Sequence, residues 1–552
     1  MADTRKKIAL LSNITVDLIV GKLHRKYDFY LPAGFDTWVQ EAVNPQSGLY
    51  LTGLDGVVVL LDGTEARSWK DINEGEERIA LWKQALSALL NQISSIPVFV
   101  STIDIRESRI KSLSERKQKY SLENNWYQFV QGLAETKSNV YVFDLADLVS
   151  EIGRRQFYSN KMWYLSSMPY SREGLNAVSI GIDRVLNAAF CSRKKIIALD
   201  LDNTLWGGVI AEDGVDGIAL SDHKEGQRYH DFQKQLLGMK ERGIVLAIIS
   251  KNNPEDVEEA IQKHPSMLLK EKDFVSQKIN WENKAVNLKA MEEELNITEG
   301  GFIFIDDNPV ERETVKGECP GVVVPDFPMD TAELLPFAEE VWAEYCMPLR
   351  VVSEDLNKTR IYQDEAKRRQ EMGQALSLDD YIAKLGMVAD IQRMRPDELE
   401  RAAQLCTKTN QFNVTTRRYT KAELEGIAAS PGNTVYVVHS SDKYGDSGLV
   451  SIVILIGDGD EIKIDTFLMS CRVMGRKLED VIINELAAKY AGRQKIIGEF
   501  IPSAKNAPVE KLYDRLGFEV VSDKEGRKIY ELDVSDYKKK SFGCYREIRF
   551  ES

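Results

Sequence analysis

Two series of short apolar runs constrain the fold of this chain more than any single residue does. The first comprises IALLS (8–12), VVVLL (57–61), PVFVS (97–101) and VYVFDL (140–145). The second comprises IIALDLD (196–202), IVLAIIS (244–250) and GFIFIDD (301–307). Each run is strand-sized, and the segments between them, such as Arg78–Ile93, carry apolar residues at helical spacing. Strands separated by helix-sized crossovers return to one sheet in parallel. Two successive α/β domains are therefore expected, joined at the short charged stretch Ser192–Lys195. A charged helical stretch, Leu349–Leu376, leads out of the second. Beyond it, TVYVVHS (434–440), GLVSIVILIGDGDEIKIDTFLMS (448–470) and KIYELDV (528–534) read as an antiparallel sheet with helices around it, an α+β domain. The expected domains are 1–190, 191–350 and 351–552.

Charge and cysteine usage exclude several classes. Lys+Arg total 72 against Asp+Glu 86, a net charge of −14, whereas duplex binding needs a basic phosphate-tracking surface. The six cysteines (191, 319, 346, 406, 471, 544) form no CxxC pair, which argues against a disulfide framework or zinc cluster and fits a reducing cytoplasm. The N-terminal apolar stretch is broken by Asn13 and Asp17 and lacks a small-residue cleavage site. No apolar run is long enough to span a bilayer. A soluble cytoplasmic protein without nucleic-acid or membrane partners is expected.

The sharpest signal is IIALDLDNTLWGG, Ile196 to Gly208. An apolar strand runs directly into Asp200 and Asp202, and residues i and i+2 of an extended chain project to the same side. Both carboxylates then face the carboxyl edge of a parallel sheet, where open α/β sheets place ligands. One aspartate can attack a phosphoryl group while its neighbour protonates the leaving oxygen. Magnesium suits the accompanying oxygen donors. An EF-hand loop is ruled out, because Thr204 and Leu205 stand where an oxygen ligand followed by glycine is required. Further along, Ser250 ends a strand, Lys284 lies in NWENKAVNL, and Asp306 and Asp307 end a third strand.

In this order, these residues resemble the haloacid dehalogenase superfamily of phosphotransferases over roughly 195–345. The resemblance implies Asp200 as nucleophile, Asp202 as general acid/base, Ser250 as a phosphate-binding hydroxyl and Lys284 as charge stabiliser. Lys251 and Asn252 join Ser250 at the phosphate, and Asp200, Asp202, Asp306 and Asp307 hold magnesium. The 50 residues from Asp200 to Ser250 and the 34 from Ser250 to Lys284 leave no room for a cap domain, so another domain or a macromolecule must close the site.

The longer run DLDNTLWGGVIAEDG (200–214) closely resembles the FkbH-like glyceryltransferase/phosphatases, as do KTNQFNVTTRRY (408–419), MSCRVMGRKLED (469–480) and SGLY (47–50). That family implies 1,3-bisphosphoglycerate as substrate and the phosphopantetheine arm of an acyl carrier protein as acceptor in polyketide-type biosynthesis. Residues 472–477 also resemble the pyrophosphate loop of the GNAT acetyltransferases, departing from it at Lys477, and NAPVEKLYDRLGF (506–518) is similar to that family's closing segment. A GNAT-like C-terminal domain follows, with Arg472, Gly475 and Arg476 at a phosphate. Cys471, beside these cations and a helix start, is the expected acyl carrier, since such surroundings favour thiolate. Cys406 is the alternative. The polar cluster Asn410, Gln411, Asn413, Thr415 and Thr416 either binds glyceryl hydroxyls or forms a hydrogen-bonded turn. The first 190 residues resemble a degenerate SGNH-hydrolase domain, with Leu11-Ser12-Asn13 after the first strand. No histidine occurs from 25 to 222 to serve as its base, so a scaffold or carrier-docking role is expected there. Rival readings are a plain phosphatase, a coenzyme A-dependent acyltransferase with a structural phosphatase-like domain, and a non-catalytic scaffold.

Overall fold

The computed structural model describes residues 5–108, 110, 112–114, 118–352, 355–372, 377–409, 411–457, 459, 461–470, 473–493, 495–524, 526–535 and 537–551. The chain divides into two compact units, Met1–Ser192 and Arg193–Ser552.

The first unit is built on strands β1 (Lys6–Ser12), β2 (Tyr27–Tyr30), β3 (Gly56–Leu60), β4 (Val98–Ser101) and β5 (Val140–Phe143). All pairings are parallel, in the order β2-β1-β3-β4-β5. Every residue of β3 is buried, as expected of a strand covered on both faces. The helix Ile72–Gln92 starts at Asp71, whose carboxylate accepts from the N–H groups of Asn73 and Glu74. It buries Ile79, Trp82, Leu86 and Leu89, a stripe at helical spacing. At the carboxyl edge, Ser12 Oγ donates to the Leu60 carbonyl at 2.6 Å, and the Asn13 amide brackets the backbone of Asp62 with two bonds of 2.9 Å. Both side chains brace the edge between neighbouring strands.

Among the described residues, the second unit contains two sheets. The first comprises β6 (Ile196–Leu199), β7 (Val245–Ser250), β8 (Phe274–Ile279) and β9 (Phe302–Ile305), all parallel, in the order β8-β7-β6-β9. β6, β7 and β9 are buried throughout. Leu199 pairs with Ile248 on one side and Ile305 on the other, so the residues that follow these three strands emerge together. This register is what positions the site.

The second sheet holds β10 (Met387–Arg393), β11 (Asn433–Asp442), β12 (Gly445–Ile456), β13 (Glu461–Met469), β14 (Lys495–Phe500), β15 (Glu519–Lys524), β16 (Arg527–Asp533) and β17 (Tyr545–Phe550). Their order is β15-β16-β14-β13-β12-β11-β10-β17. Pairing is antiparallel except for β10 with β17 and β13 with β14. β13 and β14 pair from Glu461–Lys495 to Lys463–Ile497 and then diverge. The chain itself fills the gap: Met469 N–H donates to the Phe412 carbonyl (3.0 Å), Val414 N–H to Phe467 (3.2 Å), and Ile501 N–H to Val414 (2.8 Å). The helix Lys358–Met372 is bonded to both sheets. Gln363 donates to the Phe274 carbonyl on β8 at 2.8 Å, and Arg368 clasps Asp442 at the end of β11 at 2.6 and 2.9 Å.

Candidate active site

Asp200 is the first residue beyond β6. Its loop is pulled under the sheet by Leu201, Leu205 and Trp206, all fully buried. Asn203 takes a left-handed backbone (φ 53°), and its side chain accepts from the Gly208 N–H at 2.9 Å. This tight turn keeps both aspartates at the sheet edge. Asp202 is held by three donors: Trp206 Nε1 at 2.9 Å, the Ile210 N–H at 3.1 Å and Asn252 Nδ2 at 2.9 Å. Asn252 also donates to Ser250 Oγ at 3.2 Å, linking the end of β7 to the Asp202 carboxylate.

Lys284, the first residue of the helix Lys284–Leu295, places Nζ 2.6 Å from Asp306 and 2.9 Å from Asp200. Asp200 Oδ1 is buried, and it is the oxygen that the Lys284 ammonium reaches. Asp306 also accepts from the Asn308 N–H at 2.9 Å. One oxygen each from Asp200, Asp306 and Asp307 lies within 4.8 Å of the others. Burial, followed by the charge of Asp200, pushes the pKa of Asp306 and of Asp307 up to about 6. Burial opposes the Lys284 ammonium, but Asp200 and Asp306 more than offset it and raise its pKa. Three carboxylates against one ammonium leave uncompensated negative charge. An all-oxygen donor set with a spare carboxylate oxygen fits a hard divalent cation such as magnesium.

A cavity of about 350 Å³ is lined by Asp200, Asp202, Ser250, Lys251, Lys284 and Asp307, together with Asn203, Asn308, Pro309 and Glu311. The structure thus brings most of the expected phosphate-site residues together. Three details differ from expectation. The Asp202 carboxylate, expected among the metal ligands, stands outside the Asp200–Asp306–Asp307 group and accepts from Trp206, Ile210 and Asn252 instead. Asn252 is buried and positions Asp202 rather than lining the cavity. Lys251 forms an ion pair with Glu311 at 2.6 Å on the cavity wall.

Sequence reasoning passed over Trp206, Glu311 and Arg312. Arg312 Nη1 donates to the carbonyls of Asp306 (2.9 Å) and Asp307 (2.6 Å), fixing the loop after β9. Nothing local to the sequence marks it. Asn308-Pro309 was a readable helix start: Asn308 caps the Val310 N–H at 2.9 Å and Pro309 occupies the first turn.

In the C-terminal region, Cys471, Arg472 and Asn410 lie outside the described residues. Gly475 has φ +75°, a left-handed turn that suits glycine. Arg476, expected at a phosphate, is instead buried and paired with Glu365 at 2.7 Å, with Asp442 at 3.8 Å. Its charge is already matched by acids of the helix Lys358–Met372 and of β11. Asn413 spends its amide inside its own loop, accepting from the Thr416 N–H (3.0 Å) and donating to the Arg417 carbonyl (3.2 Å). Gln411 is exposed. Cys406 is fully buried, and desolvation pushes its thiol up to about 12, away from thiolate.

No family model matches this sequence, and no curated protein matches it. Among solved structures it resembles the N-terminal part of BF1531 from Bacteroides fragilis, which contains a phosphatase domain and was crystallised with Mg. The identity is 25% and the TM-score 0.57, over 63% of this chain and 95% of that one. The chain is similar to a phosphatase. The C-terminal part also aligns with the spermidine N-acetyltransferase from Vibrio cholerae (16% identity, 27% of this chain, 95% of that chain, TM-score 0.22). A second alignment is with the ribosomal-protein-S18-alanine N-acetyltransferase from Escherichia coli (16% identity, 28% of this chain, 98% of that chain, TM-score 0.21). Among the described residues, no helix is long and apolar enough to cross a membrane.

Proposed function

We propose that this protein is a magnesium-dependent phosphatase coupled to acyl transfer. In this reading it takes 1,3-bisphosphoglycerate, releases phosphate at Asp200, and loads the glyceryl group onto the phosphopantetheine of an acyl carrier protein. The observation that carries the phosphatase half is the contact of Asp200 with Lys284 beside Asp306 and Asp307 at a parallel-sheet edge.

An Asp200 oxygen attacks phosphorus, the ester P–O bond breaks, and the leaving oxygen takes a proton from Asp202. Water then attacks the aspartyl phosphate and returns a proton to Asp202, freeing inorganic phosphate and Asp200. Lys284, buried and held as an ammonium by Asp200 and Asp306, offsets charge on the phosphoryl group. The Ser250 hydroxyl donates to a phosphoryl oxygen. Magnesium, held by Asp200, Asp306 and Asp307, supplies further charge compensation when bound.

For acyl transfer, the thiolate of Cys471 attacks the carbonyl of the acyl phosphate. The C–O bond to phosphate breaks and phosphate leaves, giving a phosphoglyceryl thioester, or a glyceryl thioester where Asp200 has already removed the ester phosphate. The pantetheine thiol then attacks the thioester carbonyl, the bond to Cys471 breaks, and the pantetheine proton passes to the departing Cys471 sulfur. Support comes from the resemblance of residues 408–419 and 469–480 to the FkbH-like family. A second reading is a plain phosphatase of a small metabolite, with the C-terminal region as a recognition module. It is favoured by Phe412–Val414, whose backbone bonds to Phe467, Met469 and Ile501 occupy the β13–β14 gap where an extended arm could otherwise pair.

The test is incubation with magnesium, 1,3-bisphosphoglycerate and a holo-carrier protein, followed by intact mass of both proteins. A glyceryl adduct on the carrier supports the coupled reaction. Phosphate release with an unmodified carrier and no enzyme adduct supports the plain phosphatase.

A further inference from the structure

Far from Asp200 in sequence, a smaller cavity of about 260 Å³ opens where β13 and β14 part. It is lined by Thr409, Asn413, Thr416, Arg418, Ser503 and Lys505. One wall is the loop before the helix Lys421–Ala429, and the other is the turn after β14. Asn506, fully buried, staples them together. Its amide donates to the Asn413 and Ile501 carbonyls, both at 2.9 Å, and accepts from the Ser503 N–H at 2.7 Å. Thr416 is held in a left-handed conformation (φ 57°) by its bond to Asn413, a strained backbone that only a well-determined loop sustains. The cavity is therefore pre-formed.

Its chemistry is one-sided. Among the described residues, two cations, Arg418 and Lys505, and three hydroxyls, of Thr409, Thr416 and Ser503, line it without a single carboxylate. Arg418 also donates to the Thr407 carbonyl, and in a chain of net charge −14 two cations gathered at one cavity attract anions locally. The hydroxyls add partners for a substrate that itself carries hydroxyls. Its volume falls below the roughly 300–1,000 Å³ of drug-sized sites and matches a small metabolite rather than a nucleotide.

We propose that this pocket is a second anion site, separate from the Asp200 cavity, which binds the phosphate group of a small hydroxylated phosphate ester. The inference rests on the proposed function, that the chain acts on small phosphorylated acids. It adds a place for the substrate on the C-terminal sheet. Met469, bonded to the Phe412 carbonyl in the loop that forms one wall, lies two residues before Cys471 in sequence.

Lysine acetylation of the full chain, read by peptide mass with magnesium chelated to prevent turnover, tests this site by site. Saturating 3-phosphoglycerate should slow modification of Lys505 at least fivefold; inorganic phosphate should also slow it, and glycerate should not. Calorimetric titration of metal-free Lys505→Gln with 3-phosphoglycerate should show binding at this site weakened about tenfold, with an unchanged melting temperature. Unaltered Lys505 reactivity overturns the proposal, and protection by glycerate but not by phosphate overturns the phosphate assignment. Lys251, in the phosphatase cavity, is read in the same digest. Its protection without that of Lys505 sinks this pocket while leaving the phosphatase reading intact. Protection of Lys505, in a protein that shows no magnesium-dependent phosphate release, supports the pocket and sinks the phosphatase reading.

Discussion

Lys284 reaches Asp306 at 2.6 Å beneath the central cavity, with both side chains almost wholly buried. A buried pair of this kind is costly to break from one side, because the remaining charge has neither water nor partner. Lys284→Met should lower the unfolding free energy of the metal-free protein by roughly 3 kcal/mol. Magnesium should recover part of that loss. Denaturant titrations with chelator and with magnesium check both, and a loss below about 1 kcal/mol would show that Lys284 is not the counter-charge.

Protons and metal compete for the same carboxylates. Asp306 and Asp307 hold protons up to about 6 in the folded chain, against an ordinary value of 3.8. Between those values the folded state binds more protons than the unfolded one, so stability falls as pH rises through the window. Above it the carboxylates are charged, and their repulsion favours a bound cation. Magnesium should therefore raise the melting temperature more at pH 7.5 than at pH 5. An equal shift at both values would place the metal elsewhere.

Asn252 holds Asp202 at 2.9 Å while also binding Ser250. Asn252→Ala should leave the fold intact and slow phosphate release by about 10–100-fold through misplacement of the proton donor. The loss should lie in kcat, with a changed pH profile, rather than in KM. A change confined to KM would make Asn252 a substrate contact instead.

The sequence was most readable where chemistry follows a strand directly. Asp200, Ser250 and Asp306 each end or follow a short apolar run, and parallel pairing of β6, β7 and β9 brings such residues together without long-range knowledge. Arg476 shows the opposite case. Its local surroundings look like a phosphate loop, yet its partner Glu365 lies 111 residues away on the helix Lys358–Met372. A basic residue is assigned by which acid reaches it first, and local spacing carries no trace of that. Arg312 and Trp206 were silent for a related reason: each acts by bonding to a functional residue rather than by being one.

That reassignment is itself testable. Arg476→Met should destabilise the C-terminal region by roughly 1–3 kcal/mol, because Glu365 loses its 2.7 Å partner while Arg368 still holds Asp442. Thermal and urea unfolding monitor it. Unchanged stability together with lost carrier loading would return Arg476 to a phosphate-binding role.

The most direct test of the whole account is magnesium-dependent phosphate release by Asp200→Asn, measured beside the wild type on protein of matched melting temperature. An amide cannot attack phosphorus, so release should fall to background in the variant while the wild type turns over. Undiminished release by folded Asp200→Asn would contradict the nucleophile and, with it, the chemistry assigned to the central cavity.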